Sequence, residues 1–409
     1  MSKSGKMVAR KSYGMVFTIL GGVTLVLGLI LYYFLNPRVY YDLGMYVALV
    51  GGALLLYGIR QLTGRQYKGV DVELSSRTAQ SFLTNNAIML ALIIMVIVIM
   101  IIQPRFMQLN VLLDIMTQSS IKMVVALGIC FALLIAGTDL SAGRMVGLAA
   151  VVVTSMLQTA TYGNRFFPNL PHLHPIIPII AAVAACAIFG AFNGFLVARY
   201  DMHPFIATLA VQLIVYGAAS LYFDLPPNKS QPIGGVRKDF TAIAQTKLFK
   251  IGDFPGISIL IPIALLFIVL IWFILNKTVF GKNVYAIGGN REAAIVSGVN
   301  VFKTIIGIFT LASVMYGIAG VLEAARTAGA TNNYGMGYET DAIAACVVGG
   351  VSLNGGVGKV SGIVSGVLIF TVIQYGLQFI AVSPMWQQII KGLIIAVAVA
   401  IDLSKYRKK

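Results

Sequence analysis

One glycine-rich stretch, ARTAGATNNYGMGYETDAIAACVVGGVSLNGGVGK, concentrates polar side chains within residues 325–359. Amide and carboxylate groups hydrogen-bond hydroxyls, and an aromatic ring can cover the apolar face of a hydroxyl-rich ligand. A polar, glycine-interrupted segment before an apolar run too short to cross a membrane is typical of a transporter's midplane path. We predict that this stretch lines a translocation path; a flexible outer loop is the alternative. The candidate path residues here are Asn332, Asn333, Tyr334, Glu339 and Asp341.

Asp139 is a further path candidate, in the segment LLIAGTDLSAGRMVGLAA. An ionisable group at membrane depth is costly and usually faces a cavity or the protein interior. Gly137 and Gly143 would permit a broken backbone, which membranes tolerate only where it is buried or wetted. The alternative is a tight cytoplasmic turn in which Asp139 caps the next helix, because Arg144 favours the membrane surface. The sequence leaves both interpretations open.

The composition defines the elements that must hold these residues. Hydrophobic residues make up 58% of the 409, charged residues 11%, and the mean hydropathy is +0.88. A helix rising 1.5 Å per residue needs about 20 apolar residues to cross a membrane, and lipid requires every peptide group to be paired internally. The predicted fold is all-α: a polytopic helical integral membrane protein with about ten core transmembrane helices plus an N-terminal two-helix extension. The predicted spans are 14–35, 43–59, 85–102, 119–136, 143–161, 176–198, 204–223, 258–275, 304–322, 360–380 and 385–403, with a shorter run at 341–351.

The first two spans are set apart from the others by a polar linker, RQLTGRQYKGVDVELSSRTAQSF. We predict that residues 1–82 form an additional transmembrane hairpin and its cytoplasmic linker, and that residues 83–409 form the main transport domain. Because the additional spans come as a pair, they leave the orientation of the later spans unchanged.

The charges indicate the orientation of the chain. The formal net charge is +16, yet the cations lie between spans rather than on a soluble face, which favours the positive-inside rule over binding of nucleic acid. Threading the spans from a cytoplasmic N-terminus places most of the lysines and arginines, and both termini, in the cytoplasm. The basic segment 224–257 then lies outside, where its length predicts a small external domain or flap. Lys122 and Lys391 are predicted to lie towards the outer ends of their spans, as snorkelling residues do.

A short basic loop, GKNVYAIGGNREAAIVSGVNVFK, interrupts the apolar runs at residues 281–303. An asparagine can cap a helix over residues 291–296, a glycine can end it, and two preceding glycines permit a sharp bend into it. A short capped helix on the cytoplasmic face can dock into a cleft of another protein; an interfacial helix without a partner is the alternative. The predicted docking segment comprises Gly288, Gly289, Asn290, Arg291, Glu292, Ala293, Ala294, Ser297 and Gly298.

Other motifs favour structural roles. GGVGKVSG resembles a phosphate-binding loop, but Leu353 and Val360 replace residues that this loop requires. Gly358, Gly362 and Gly366 instead recur every four positions, which allows helices to approach closely.

The histidines and cysteines give no sign of a metal site. His172 and His174 have no neighbouring Cys, Asp or Glu and are predicted to lie in an exposed turn. Cys130, Cys186 and Cys346 lie in apolar runs and are predicted to be buried. We predict no catalytic residue, metal or cofactor.

From about residue 85 to its end, the chain resembles the membrane permease subunits of bacterial ABC importers for monosaccharides, the group that includes ribose, xylose and galactose permeases. The form GTDLSAGR, rather than the GGIDLSVG associated with ribose permeases, favours the galactoside branch. The resemblance rests on TQSSIKMVVALG, GTDLSAGRMVGLAAVV, HPFIATLAVQLIVYGAASLYFD, NKTVFGKNVYAIGGNREAAIVSGVNV and EAARTAGATNNYGMGYETDAIAACVVGGVSLNGGVGKVSG.

The resemblance implies a homodimeric permease in the bacterial inner membrane. A separate cytoplasmic ATPase subunit would supply the energy, and a periplasmic sugar-binding protein would deliver the monosaccharide, with galactose, methyl-galactoside or glucose expected. It also implies that the segment 288–298 is the coupling helix that docks on the ATPase. Transmission would be mechanical, because the permease carries no nucleotide site.

Two other function classes would require features of their own in the sequence. An ion-coupled secondary sugar transporter would need ionisable residues at mid-membrane, and the spans supply few apart from Asp139. A membrane-embedded enzyme would need clustered catalytic groups near one membrane face, and the sequence shows no such cluster. Sugar uptake that persists without an ATPase subunit would favour the ion-coupled alternative.

Overall fold

The computed structural model describes residues 17–30, 38–62, 87–252 and 254–407. Every apolar run predicted as a span corresponds to a helix within these residues, including the short run near 341–351. Besides the helices, the described residues contain a 3₁₀ turn, Pro104–Met107, and a hairpin of two short strands, β1 (Lys247–Leu248) and β2 (Ile257–Ser258). The helices are α1 (Phe17–Ile30), α2 (Arg38–Leu62), α3 (Ala87–Ile102), α4 (Leu109–Leu134), α5 (Ala142–Met156), α6 (Ile176–Tyr200), α7 (Pro204–Phe223), α8 (Lys238–Gln245), α9 (Leu260–Lys277), α10 (Val279–Gly289), α11 (Arg291–Val296), α12 (Val301–Thr327), α13 (Tyr338–Val348), α14 (Val360–Phe379) and α15 (Pro384–Arg407).

Six of the described helices are long and apolar enough to cross a membrane. This confirms the predicted class, a polytopic helical membrane protein. The six are α4, α6, α7, α9, α12 and α14.

The chain divides into two compact units, residues 1–112 with 379–381 and residues 113–378 with 382–409. In the first unit, α1 and α2 form an antiparallel hairpin with very close backbones. A side chain at Gly21 would overlap the backbone at Leu55, and one at Gly28 would overlap the backbone at Ala48. Small residues at a helix interface permit this approach, which is how membrane helices gain packing energy.

The second unit is built around α12, which is buried along most of its length against α5 and α6. The missing side chains of Gly190 and Gly194 let α6 lie directly on α12: a Cβ at Gly194 would sit 2.6 Å from the Ile306 Cα. Cys130, Cys186 and Cys346 are fully buried in this unit, as predicted.

Two of the three glycines spaced every four positions act as predicted, whereas Gly358 precedes α14 and faces the side chains of Leu134 and Val351. A Cβ at Gly362 would overlap the carbonyl of Gly349, and one at Gly366 would overlap the carbonyl of Ala345. α13 and α14 therefore pack backbone to backbone, which fixes the polar residues at the start of α13 against those of α14.

The segment between α7 and α9 forms a small folded cap. Phe240 of α8 is fully buried, and the Arg237 guanidinium donates a 2.7 Å hydrogen bond to the Leu173 carbonyl. Backbone bridges join Val236 to Gln158 and Ile233 to Ala330. His172 and His174 are exposed beside this cap, in agreement with the predicted turn.

Candidate translocation site

A polar cavity of about 280 Å³ lies where α4, α12, α13, α14 and α15 meet. This volume is near the lower end of the range for small-molecule sites, about 300–1,000 Å³. Its wall provides donors of both charged and neutral types, two carboxylates and an aromatic hydroxyl, Tyr338. The charged and amide residues lining it are Lys122, Glu323, Arg326, Asp341, Lys391, Gln118, Gln374, Gln378 and Gln388.

Asp341 is the centre of the charge cluster in this wall. The Lys391 ammonium lies 3.0 Å from its Oδ1, and the Lys122 ammonium lies 3.9 Å from its Oδ2. The Gln374 amide donates a 2.8 Å hydrogen bond to Oδ2 and accepts one from Lys122. Asp341 is only 9% exposed, so these partners offset the cost of burying its charge. The cluster ties α4, α13, α14 and α15 together.

The side chains of Lys122 and Lys391 are not the snorkelling groups that the sequence predicts. Each retains only about a fifth of its surface, at 21% and 20%, and both ammonium groups point to Asp341. A carboxylate on a neighbouring helix competes with water for the ammonium group of a buried lysine, and here both ammonium groups pair with the carboxylate.

A second ion pair completes the cavity wall. Glu323 and Arg326 lie one turn apart on the last turns of α12, with 2.7 Å between Oε1 and Nη2. The Arg326 carbonyl accepts a 3.0 Å hydrogen bond from the Gln245 amide of α8. The folded cap therefore contacts the element that carries one wall of the cavity.

Beyond Lys122 and Asp341 the cavity narrows to an apolar crevice of about 10 Å³, lined by residues such as Val125, Ala345 and Phe370. A single water molecule needs roughly this volume. In this conformation the crevice therefore admits nothing larger than water.

The other path candidates of residues 325–359 do not line the cavity. The Asn332 amide donates a 3.2 Å hydrogen bond to the Ser220 hydroxyl, Asn333 is exposed, and Tyr334 packs against the hydrophobic core. Glu339 lies two residues from Asp341 and so projects from a different face of α13. Its carboxylate sits against Gly143 of α5.

Asp139 occupies a fully buried turn before α5. The Ser141 backbone nitrogen and hydroxyl donate to its Oδ1 at 2.9 and 2.6 Å, and the Tyr316 hydroxyl donates to its Oδ2 at 3.1 Å. The Asn193 amide donates to the Ser141 hydroxyl at 3.0 Å. The carboxylate thus holds the turn before α5 against α6 and α12. It does not line the cavity around Asp341, and it does not cap α5, whose N-cap residue is Ser141.

The predicted docking helix is present as α11. The Asn290 side chain accepts a 2.9 Å hydrogen bond from the Ala293 backbone nitrogen, and Gly298 follows the helix with φ +81°, as the sequence predicts. Ala294 is buried, whereas Glu292 and Ala293 are exposed. Ile295 and Val296, which lie within the predicted helix but are not among the named docking residues, add exposed aliphatic surface.

The predicted role of Gly288 and Gly289 as a bend is wrong. Both belong to the last turn of α10, and the chain turns at Asn290, which has extended backbone. The missing side chain at Gly288 serves a close contact instead, because a Cβ there would overlap the Leu134 carbonyl.

Comparison with known proteins adds the family. Residues 111–399 match the family described as the permease component of branched-chain amino acid transport systems. The chain belongs to this permease family. It is 47% identical to the galactose/methyl galactoside import permease MglC of Haemophilus influenzae over 80% of this chain and 96% of that protein.

Two further relatives widen the comparison. The MglC protein of Escherichia coli K12 is 46% identical over 82% of this permease and 99% of its own length. The ribose import permease RbsC of Bacillus subtilis is 35% identical over 77% and 92%. No solved structure matches the permease.

The permease residues that sequence reasoning missed are Lys122, Gln374 and Lys391. A signal was available, because a lysine inside an apolar span is costly unless it finds a partner. Each lysine is compatible with snorkelling when considered alone, and only the fold brings both lysines and Gln374 to one carboxylate.

Proposed function

We propose that this protein is the permease subunit of an ABC-type sugar importer, and that a monosaccharide crosses the membrane through the cavity around Asp341. The cavity is the observation that carries the proposal, since it combines amides, carboxylates, cations and an aromatic ring in one wall. Galactose or a methyl galactoside is the proposed substrate, as in the relatives with 46–47% identity.

The chemistry of the wall suits a sugar that must pass through. A sugar hydroxyl both donates and accepts, and it can therefore bond to carboxylates, ammonium groups and glutamine amides alike. The strongest of these groups already bond to one another, as Asp341 does to Lys391 and Gln374. A sugar has to exchange these bonds for its own, so the net gain is small, about 0.5–1.5 kcal/mol for a neutral hydrogen bond. Weak binding favours release.

The direction of transport follows from the proposed topology. With both termini in the cytoplasm, the cavity opens towards the outside and the apolar crevice closes it towards the cytoplasm. The segment 224–257 then lies outside, where the sugar-binding protein delivers substrate. The bacterial inner membrane is the proposed location, with two permease copies in each transporter.

A separate ATPase subunit docks on α11 in this proposal. The helix is capped at both ends, and it exposes Glu292, Ile295 and Val296. A carboxylate next to aliphatic surface fits a cleft that is basic at its rim and apolar at its base.

The experiment is uptake of radiolabelled galactose into proteoliposomes that contain the permease, the ATPase subunit that co-purifies with it, and the cognate binding protein. We expect uptake only with ATP and with all three proteins, and competition by galactose but not by ribose. Uptake that persists without the ATPase and collapses with the ion gradient would favour an ion-coupled transporter. The measurement without the ATPase is needed because buried ionisable groups, such as those of the charge cluster, also serve ion coupling.

The path itself is tested with single cysteines and a water-soluble thiol reagent. Thr340 lines the cavity and is exposed, so Thr340→Cys should react, and the sugar-loaded binding protein should protect it. Asn333 is exposed but does not line the cavity, so Asn333→Cys should react without protection. Equal protection of both positions would extend the path along residues 331–341, as the sequence predicts. No protection of Thr340→Cys would rule out the cavity.

A further inference from the structure

We propose that Gly288 and Tyr285 are positioning residues for transport, which transmit movement of the docking helix α11 to the charge cluster around Asp341. They do so by clasping the end of α4 to the loop between α13 and α14. This inference rests on the proposed roles of α11 and of the cavity.

Three backbones meet here without intervening side chains, at Leu134 of α4, Gly288 of α10 and the loop residues Gly355 and Gly356. We call this contact the clasp. The Gly356 backbone nitrogen donates a 2.8 Å hydrogen bond to the carbonyl of Leu134, the last residue of α4. A Cβ at Gly288 would overlap this carbonyl and would lie 2.6 Å from the Gly356 nitrogen. A Cβ at Gly355 would lie 2.9 Å from the Gly288 carbonyl oxygen. Any side chain at Gly288 must therefore push the three segments apart.

Tyr285 adds a second tie on the same face of α10. It precedes Gly288 by three residues, and residues at this spacing are neighbours on a helix surface. Its hydroxyl donates a 2.9 Å hydrogen bond to the Gly358 carbonyl, in the same loop as Gly356. α10 is thus fixed to this loop at two successive turns.

The clasp connects the two helices that carry opposite charges of the cluster. Lys122 lies twelve residues before Leu134 on α4, a distance of roughly 18 Å along the axis. Asp341 lies seven residues before the end of α13 at Val348, roughly 10 Å along its axis. Both helices end at the clasp or lead directly into its loop. Only Asn290 separates α10 from α11. A displacement of the docking helix therefore reaches the end of α4 and the loop after α13 together.

A packed junction of this kind transmits small displacements, because close-packed contacts shift between discrete arrangements rather than deforming continuously. Movement of the clasp would shift α4 relative to α13 and would change the separation of Lys122 from Asp341. The apolar crevice lies just beyond these residues. Its opening is therefore the expected result of movement at α11.

The test compares Gly288→Ala with Gly217→Ala in the complex with the ATPase subunit and binding protein. Gly217 is a helical glycine with open space at its Cβ position, so its variant controls for the added methyl group. Gly288 belongs to α10 and lies outside the docking helix α11. For Gly288→Ala we therefore expect normal ATPase association and continued ATP hydrolysis, while sugar imported per ATP falls roughly tenfold, within the range typical of coupling between sites. Gly217→Ala should transport normally.

A direct readout is the reactivity of Thr340→Cys in the cavity, measured with and without ATP. In the parent and in Gly217→Ala the reactivity should change with ATP, whereas in Gly288→Ala it should not. Tyr285→Phe adds no atoms and decides the question where Gly288→Ala reduces the amount of protein in the membrane. It should lower sugar imported per ATP roughly two- to tenfold, the effect of one lost hydrogen bond.

The inference is overturned if Tyr285→Phe transports normally and the reactivity at position 340 still changes with ATP in this variant. The same must hold for Gly288→Ala if that variant accumulates in the membrane. This failure is distinguishable from failure of the proposed function. In the latter case the parent protein itself shows no ATP-dependent uptake and no ATP-dependent change at position 340.

Discussion

The Lys391 ammonium lies 3.0 Å from the Asp341 Oδ1, and the two residues join the last helix to the short helix α13. Lys122 approaches the other carboxylate oxygen from α4 at 3.9 Å. One carboxylate thus balances two ammonium groups that are each about four-fifths buried. Removal of the carboxylate takes the ion-pair partner from both lysines, whereas removal of one lysine leaves a balanced pair.

The first prediction follows from this asymmetry. Asp341→Ala should destabilise the folded protein by about 3 kcal/mol, the low end for breaking a buried ion pair, because the lysines keep some contact with water. Lys391→Met should cost less, and the double variant should recover part of the loss, with a coupling of about 0.5–3 kcal/mol. Thermal unfolding in detergent measures all three variants. Strictly additive losses would contradict the role of Asp341 as the centre of the cluster.

The contact between α5 and residues 335–339 gives the second prediction. A Cβ at Gly143 would overlap both the Gly335 carbonyl and the Glu339 carboxylate. Because the carbonyl belongs to the backbone, Gly143→Ala should cost about 1–3 kcal/mol, the usual range for overpacking. Gly392→Ala on α15 has open space around its Cβ and serves as the control. Equal melting temperatures for the two variants would contradict the close contact.

The extent of agreement between sequence and structure differs between the scaffold and the site. Spans and the capped helix α11 depend on local features, namely apolar run length, the Asn290 cap and the glycine at position 298, and the sequence predicts them correctly. The charge cluster depends on distant residues: Lys122 and Gln374 are 252 positions apart, and Asp341 and Lys391 are 50 apart. No local pattern encodes such a meeting.

The difference between Glu339 and Asp341 shows the same limit at short range. The sequence places both carboxylates in one polar stretch, but the start of α13 at Tyr338 turns them to different faces. Asp341 reaches the cavity, and Glu339 reaches α5. The helix boundary that decides this follows Gly337, whose φ of +81° is apparent only in the fold.

The docking helix carries the third prediction. Asn290→Ala removes the cap of α11 and should destabilise that helix by about 1 kcal/mol. Glu292→Lys reverses the exposed charge in its first turn, where a negative group is favourable. Both variants, like Gly298→Pro, should reach normal levels in the membrane but should bind less ATPase in pull-down, with Glu292→Gln intermediate. Normal ATPase binding and sugar uptake in all of them would sink the assignment of α11.

The cap between α7 and α9 supplies the fourth prediction. Arg237 is 8% exposed, donates to the Leu173 carbonyl, and hydrogen-bonds the half-exposed Asp239. Arg237→Ala should therefore loosen both the cap and the 171–174 turn and increase cleavage there by an added protease. Asp239→Asn should have a much smaller effect, because it leaves the bond to Leu173 in place.

The pH dependence of this pair has a definite sign. The hydrogen bond from Arg237 lowers the pKa of the Asp239 carboxyl below its ordinary value. A lowered folded-state pKa gives stability that is present above the unfolded value, about 3.9, and is lost as the pH falls through the folded value. The contribution of Asp239 to protease resistance of the cap should thus be constant between about pH 6 and 8 in the parent protein. A loss in this range would assign the effect to another group.

The last prediction concerns the N-terminal hairpin. The family match begins at residue 111, and the relatives with 46–47% identity are covered over 96–99% of their length by about four-fifths of this chain. α1 and α2 pack against each other through Gly21 and Gly28, so they satisfy much of their packing within the pair. Removal of residues 1–76 takes away an even number of spans and should leave a permease with normal orientation, membrane level and ATP-dependent uptake. The matched control lacks residues 1–37 only: it retains α2 alone, which should invert or trap the following spans and abolish uptake. If the shorter protein without residues 1–76 inserts at normal levels but imports no sugar, the hairpin takes part in transport.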